Sequence, residues 1–309
     1  MSYKKQIFSW ALVVLSLFLS PVVSAAQRAD LVIENALILT MDEKATVFEN
    51  GVITIVGDSI AAIGDASLRG HWEAKKVIDA GGDIVMPGMI NVHNHIPMVA
   101  FRGLGENGVD DRLFRYFFPL ERDLLSRELI RTAARHAAIE LALSGVTLVT
   151  DMYYHEDEVA RAVAEVGIRG VLGETVMGFP VVDAPEPYGG LEYAAKFIRE
   201  WKGHPLITPA VAPHALYTVS PEWLLKSKKL AEREGVPILV HLAEFANEPD
   251  LIRERINDFP KDQSVVGYLD EMGFLSDALV AAHTFYVDEE DMRILKRHDV
   301  GVSHNPKAN

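Results

Sequence analysis

The run Asp83-Ile84-Val85-Met86-Pro87-Gly88-Met89-Ile90-Asn91-Val92-His93-Asn94-His95 decides how this chain is read. It is an apolar segment ending in His-x-His, and alternation along an extended strand sends both imidazoles to the same side. Two neutral nitrogen donors aimed at one point make half of a metal site. Alone, such a pair is a weak signal, because histidines are common on surfaces and in loops. The rest of the chain strengthens it. His241 closes Val236-Pro237-Ile238-Leu239-Val240, His283 follows Ala278-Leu279-Val280-Ala281-Ala282, and His304 follows Val300-Gly301-Val302-Ser303. Each is an apolar run of strand length that ends in a histidine.

Working outward, strands are predicted over 84–92, 146–151, 168–172, 206–212, 236–241, 278–283 and 300–304. Amphipathic helices are predicted between them over 127–144, 156–166, 190–201, 221–234, 264–272 and 288–297. Alternation of this kind defines an α/β chain with a parallel sheet and helical crossovers. The histidines fall at the carboxyl ends of strands, where (β/α)8 barrels of the TIM type gather their active sites. Seven strands are counted where a closed barrel has eight, and an open sheet leaves an unpaired edge. The expectation is therefore an incomplete barrel over 85–309, belonging to a longer protein or to a truncated gene product. Upstream, 29–84 reads as short strands around a Gly57-Asp58 turn, part of a small N-terminal β-sandwich.

Composition narrows the function classes. With 30 Lys+Arg against 44 Asp+Glu the formal net charge is -14, which repels phosphate backbones, so nucleic acid is not an expected partner. The absence of cysteine excludes disulfides, thiolate ligands and a cysteine nucleophile, leaving His, Asp and Glu to hold any metal. Lys4 and Lys5, the apolar stretch from Ile7 to Phe18 and the small-residue site Val23-Ser24-Ala25 have the order of a secretory signal over 1–25, with cleavage after Ala25. An uncleaved membrane anchor is the alternative. With cleavage, a periplasmic or secreted protein without stable membrane association is expected.

Residue by residue, Glu244 lies three positions after His241, close enough to face the same pocket and shuttle a proton there. The plainer reading is a solvated glutamate ahead of Asn247-Glu248, and His283 reads equally as a histidine closing a strand. His71, His136, His204 and His298 read as structural or solvated, while His155 is left open as a pocket residue.

The motifs Met86-Pro87-Gly88-Met89-Ile90-Asn91-Val92-His93-Asn94-His95, Pro119-Leu120-Glu121, Asp151-Met152-Tyr153-Tyr154-His155-Glu156, Ala212-Pro213-His214-Ala215-Leu216-Tyr217, His241-Leu242-Ala243-Glu244, Ala282-His283 and Ser303-His304-Asn305-Pro306 together resemble the amidohydrolase superfamily. The branch they resemble holds the methylthioadenosine/S-adenosylhomocysteine deaminases and the chlorohydrolases. This resemblance implies one divalent ion, zinc or iron, on His93, His95 and His241, with an aspartate from a strand after Asn309 as a further ligand. It implies Glu244 as general acid/base and His283 as the residue orienting the attacking water. Glu121, His214 and His304 are placed on the substrate side, Glu121 at the position that holds a ribose hydroxyl. Val211-Ala212-Pro213-His214 offers no lysine to bridge two ions, so one metal is expected.

Departures from the family pattern concern the substrate. Glu174 stands where adenosine-processing members carry an arginine, Gly189-Gly190-Leu191 lacks another, and Asp111-Arg112-Leu113 occupies the place of a tryptophan. A glutamate in place of a buried arginine is expected to disfavour a substrate with a carboxylate tail. The implied activity is metal-dependent hydrolysis of a carbon–nitrogen bond other than a peptide bond. Its expected form is deamination of an aminated purine, pterin or similar small heterocycle. The alternatives are ring dechlorination or other heterocycle hydrolysis, or a catalytically inactive fragment. Dimers among family members leave a homodimer open.

Overall fold

The computed structural model describes residues 26–104, 112–254 and 259–306, so the predicted leader over 1–25 and Asp111 lie outside the described residues. No helix among the described residues is long and apolar enough to cross a membrane. The chain divides into two compact units, one up to Pro87 and one from Gly88 onward.

The first unit is a single sheet of β1 (Gln27–Leu39), β2 (Val47–Val56), β3 (Ser59–Asp65), β4 (Trp72–Asp79) and β5 (Ile84–Val85). Its order is β3-β2-β1-β4, with β5 also on β1. β1 and β2 run antiparallel, whereas β4 and β5 run parallel to β1. β1 runs unbroken over Gln27–Leu39, and its register to β2 shifts between Ile33 and Ala36 and again between Ala36 and Ile38. Asn35 takes a left-handed φ of 55° there, and Val32 packs in one apolar cluster with Ala29 and Val52 while Ala36 and Ile38 pack in another with Ile53.

The second unit carries a seven-stranded parallel sheet of β6 (Met89–Asn91), β7 (Val146–Tyr153), β8 (Arg169–Val176), β9 (Ile207–Pro213), β10 (Ile238–Leu242), β11 (Leu279–His283) and β12 (Gly301–Ser303). Strand order follows chain order without interruption, which is the winding of a (β/α) barrel, and β6 and β12 are its two edges. Covered on both faces, the strands read as apolar runs: β10 is buried at all five positions. The helices are α1 (Phe118–Leu124), α2 (Arg127–Leu143), α3 (Glu156–Val166), α4 (Gly190–Trp201), α5 (Pro221–Glu234), α6 (Glu248–Arg253), α7 (Val265–Glu271) and α8 (Glu289–Arg297). α2 buries Ile130, Ala133, Ala134, Ala137 and Ala138 at helical spacing, and Ser126 accepts from the Leu129 N–H at its start.

One expected strand is corrected. The run 84–92 is two strands in two different sheets, Ile84–Val85 pairing with β1 and Met89–Asn91 pairing with β7. Pro87 has no N–H to give a ladder. Gly88 passes so close to Thr147 that any Cβ would overlap its side chain.

Candidate metal centre and its cleft

The carboxyl ends of the second unit's strands open into a cleft of about 1370 Å³. His93, His95, His214, His241, Glu244, His283 and Glu121 line it, with an aromatic wall that includes Phe114, Phe118, Tyr217 and Phe245. The ring of His93, just past the edge strand β6, lies 5.0 Å from those of His241 and His283, so the sheet curls far enough for the residues after β6 to meet side chains of β10 and β11.

His93 and His95 lie beyond the end of β6, so strand pleating is not what aligns them. Bonds at His95 and its neighbour fix that ring instead. The Ile96 N–H donates to Asp151 Oδ1 at 2.6 Å, and His95 Nδ1 donates to the Met152 carbonyl at 2.7 Å. His241 Nδ1 likewise donates to the His214 carbonyl at 2.9 Å. Because both Nδ1 atoms carry protons, the Nε2 atoms of His95 and His241 keep bare lone pairs, and these face each other at 3.2 Å. Two nitrogens on one tetrahedral ion at about 2.0–2.1 Å stand roughly 3.3 Å apart. One nitrogen each from His93, His95 and His241 fall within 4.8 Å of one another. Burial first, then neighbouring histidines, push His93 down to about 2, and burial pushes His95 down to about 4 and His241 lower as well. All three are therefore neutral near pH 7, the form that binds metal. This donor set fits a divalent ion.

Around it, Glu244 Oε1 lies 3.6 Å from His283 Nε2, and Asn305 Nδ2 lies 3.5 Å from the other nitrogen of that ring. His214, lowered to about 3 by burial, donates from Nδ1 to Thr218 Oγ1 at 2.8 Å, and that hydroxyl donates on to the Ala215 carbonyl. The chain of donors leaves a lone pair on His214 Nε2. Glu121, on the unforeseen helix α1, is buried and accepts from the Tyr153 hydroxyl at 2.8 Å. Burial raises its carboxyl to about 7 even though the tyrosine hydroxyls oppose the shift.

Three sequence expectations change. His304 is exposed and packs on Phe285 at 4.6 Å, away from the cleft lining, because β12 ends at Ser303 and the next residue to reach the cleft is Asn305. His155 is also outside the cleft lining: its ring lies 3.2 Å from the Tyr193 hydroxyl and its N–H donates to Asp183 Oδ2 at 2.5 Å. Glu174 is fully buried on the other side of β8 from the cleft, where its neighbour Thr175 points. Its carboxyl accepts from the Glu156 N–H at 3.0 Å, and it is not among the residues that line the cleft. The Gly189-Gly190 pair is a packing feature, since a Cβ on Gly190 would strike the Thr175 carbonyl.

Glu174 belongs to a buried acidic group with Asp151, Glu156 and Asp183, each beside α3 or the loop that packs on it. Asp151 Oδ2, both Glu156 oxygens, Glu174 Oε1 and Asp183 Oδ1 have no donor while all four are ionised. Burial raises Asp151 to about 7 and Glu156 and Glu174 well above the usual carboxylate range, and the adjoining carboxylates raise those two glutamates further. Protonated, Glu156 donates to Asp151 and Glu174 to Asp183. Acids whose folded pKa is raised contribute stability that is fully present below the unfolded value, near 4, and lost as pH rises through the folded one. These acids shed stability from about pH 4 through about pH 7 and beyond, so above about pH 6.5, where the buried histidines are neutral in both states, the melting temperature is expected to fall with rising pH, and the Glu156→Gln and Glu174→Gln variants are expected to flatten that slope. A wild-type melting temperature that stays level or climbs over this range would contradict the assignment.

A barrel sheet whose strand ends converge three neutral imidazoles defines a metal-binding (β/α) protein. The chain belongs to the amidohydrolase family, whose model matches residues 84–309. It is 36% identical over 286 residues to the 5-methylthioadenosine/S-adenosylhomocysteine deaminase of Syntrophobacter fumaroxidans, covering 92% of this chain and 64% of that protein. It is 34% identical over 285 residues to 5-methylthioadenosine/S-adenosylhomocysteine deaminase 1 of Syntrophus aciditrophicus, covering 92% of this chain and 63% of that protein. The chain therefore spans slightly under two thirds of the length of these relatives. Among solved structures, an adenosine deaminase from Xanthomonas campestris with bound zinc superposes with a TM-score of 0.84 at 26% identity, covering 92% of this chain and 64% of that one.

Proposed function

We propose that this chain is part of a zinc-dependent aminohydrolase that removes an amino group from a purine-like heterocycle. The observation that carries the reading is the meeting, in one cleft, of three neutral imidazoles with the Glu244–His283 pair. Similarity to deaminases of 5-methylthioadenosine and S-adenosylhomocysteine supports the reaction type, and zinc in the Xanthomonas deaminase supports the choice of ion. When bound, the ion supplies an electrophilic centre that lowers the pKa of a water towards neutrality. The chain's own residues supply the rest. Glu244 takes a proton from the attacking water and returns it to the departing nitrogen, which then leaves as ammonia. His283, close to both Glu244 and His93, orients that water. Phe114, Phe118, Tyr217 and Phe245 offer a flat heterocycle an apolar wall, and the Glu121 carboxyl meets a hydroxyl on its polar side. With Glu174 turned away from the cleft, a carboxylate-bearing substrate is no longer disfavoured on that ground. The leader-like 1–25 segment further supports export of the mature protein to the periplasm or beyond.

The test is ammonia release by zinc-loaded protein from adenosine, 5-methylthioadenosine, S-adenosylhomocysteine, guanine and an aminopterin-type ring. Ammonia is expected in step with loss of the amino-heterocycle absorbance, to stop on chelation and to return with added zinc. Folded, metal-loaded protein that releases none from any of the five counts against the proposal.

A further inference from the structure

The turn that carries Glu244 is built in an unfavourable backbone conformation and held from two sides. Ala243 sits at φ 50°, in the left-handed region that side chains with a Cβ disfavour. On the carbonyl side, Leu242 accepts from the Thr284 N–H at 2.8 Å, and Ala243 accepts from the N–H groups of Phe285 and Tyr286 at 3.0 and 3.1 Å. On the amide side stands one residue, Glu248, the first of α6 and 1% exposed. Its two oxygens take the two consecutive N–H groups of the turn: Oε1 accepts from Ala243 at 3.3 Å and Oε2 from Glu244 at 2.7 Å. Successive N–H groups around a left-handed residue form a concave nest that suits an anion. A fork of two acceptor oxygens answers both donors at once, and an amide side chain answers one while turning its own N–H groups on the other.

We propose that Glu248 is a positioning residue for the reaction: its carboxylate holds the 243–244 turn, and so aims the Glu244 carboxyl at His283 and the cleft. Nothing places Glu248 itself on the cleft lining, so it acts through Glu244. The inference rests on the reading of Glu244 as the proton carrier. Glu248→Gln loses one acceptor at constant size and leaves every metal-binding imidazole in place. A misplaced catalytic group costs roughly 10- to 100-fold in rate.

The experiment compares wild-type protein with Glu248→Gln, Glu244→Gln and the double variant. Glu248→Gln is expected to keep full metal content by elemental analysis, to lose about 10- to 100-fold in kcat with KM within about three-fold, and to exchange its Glu244 amide hydrogen at least about ten-fold faster. The double variant is expected to be no slower than Glu244→Gln alone, because two residues acting as one unit are not additive. Losses in the two single variants that multiply in the double variant, or loss of metal together with kcat, would overturn the proposal. So would unchanged exchange at the Glu244 amide. Amide exchange and metal content need no substrate, so the clamp is tested even if no heterocycle is deaminated.

Discussion

Protein carrying His241→Ala is expected to purify with less than about a tenth of the divalent metal held by the wild type, measured by elemental analysis after dialysis against a weak chelator. His241 lies on β10, a strand buried at every position, and its ring is 4% exposed with Nδ1 committed to the His214 carbonyl. Its Nε2 has one direction to face, towards His95 Nε2 at 3.2 Å. Changing a residue that merely orients a ligand costs about 10- to 100-fold in metal affinity, so deletion of a ligand should exceed that. His304→Ala provides the contrast, since the exposed ring on Phe285 has no part in the cluster and metal content should not change. Circular dichroism separates loss of metal from loss of fold. Should His241→Ala retain wild-type metal while folded, the three imidazoles are not a metal centre.

Glu244→Gln is expected to leave metal content and melting temperature near those of the wild type while kcat drops by about 10²- to 10⁴-fold, the usual contribution of a positioned general acid/base. The substitution conserves shape and leaves unaltered the Glu244 backbone N–H that Glu248 accepts. It removes the group that exchanges a proton beside His283. A variant within about three-fold of wild type in steady-state turnover would remove Glu244 from the mechanism.

Long elements were legible because their patterns repeat. The seven strand runs and six helices of the second unit were visible as apolar segments and amphipathic stretches, and the structure has elements at each of those places. The short helices were not. α1 and α6 have seven and six residues, too few turns for a periodic stripe to show, yet they carry Glu121 and Glu248. Glu248 read as one more acid in a polar stretch, because its two N–H partners come from a turn whose left-handed Ala243 no composition reveals.

The sequence by itself determined the winding of the second unit and the placing of histidines at its strand ends, because hydrophobic runs and residue chemistry are properties of local order, while the family resemblance singled out His93, His95 and His241 among them. Only the tertiary structure decided where each side chain points. His95 is aimed by its own bond to the Met152 carbonyl and by the bond of the adjoining Ile96 N–H to Asp151, some 55 residues away along the chain, and not by a strand shared with His93. Side-chain direction has a period of two along a strand, so the face Glu174 takes depends on register with its neighbours. A single residue past the end of β12 separates the exposed His304 from Asn305 in the cleft. Register, turn geometry and burial come from the packing of distant segments, and they turn a list of polar residues into a site.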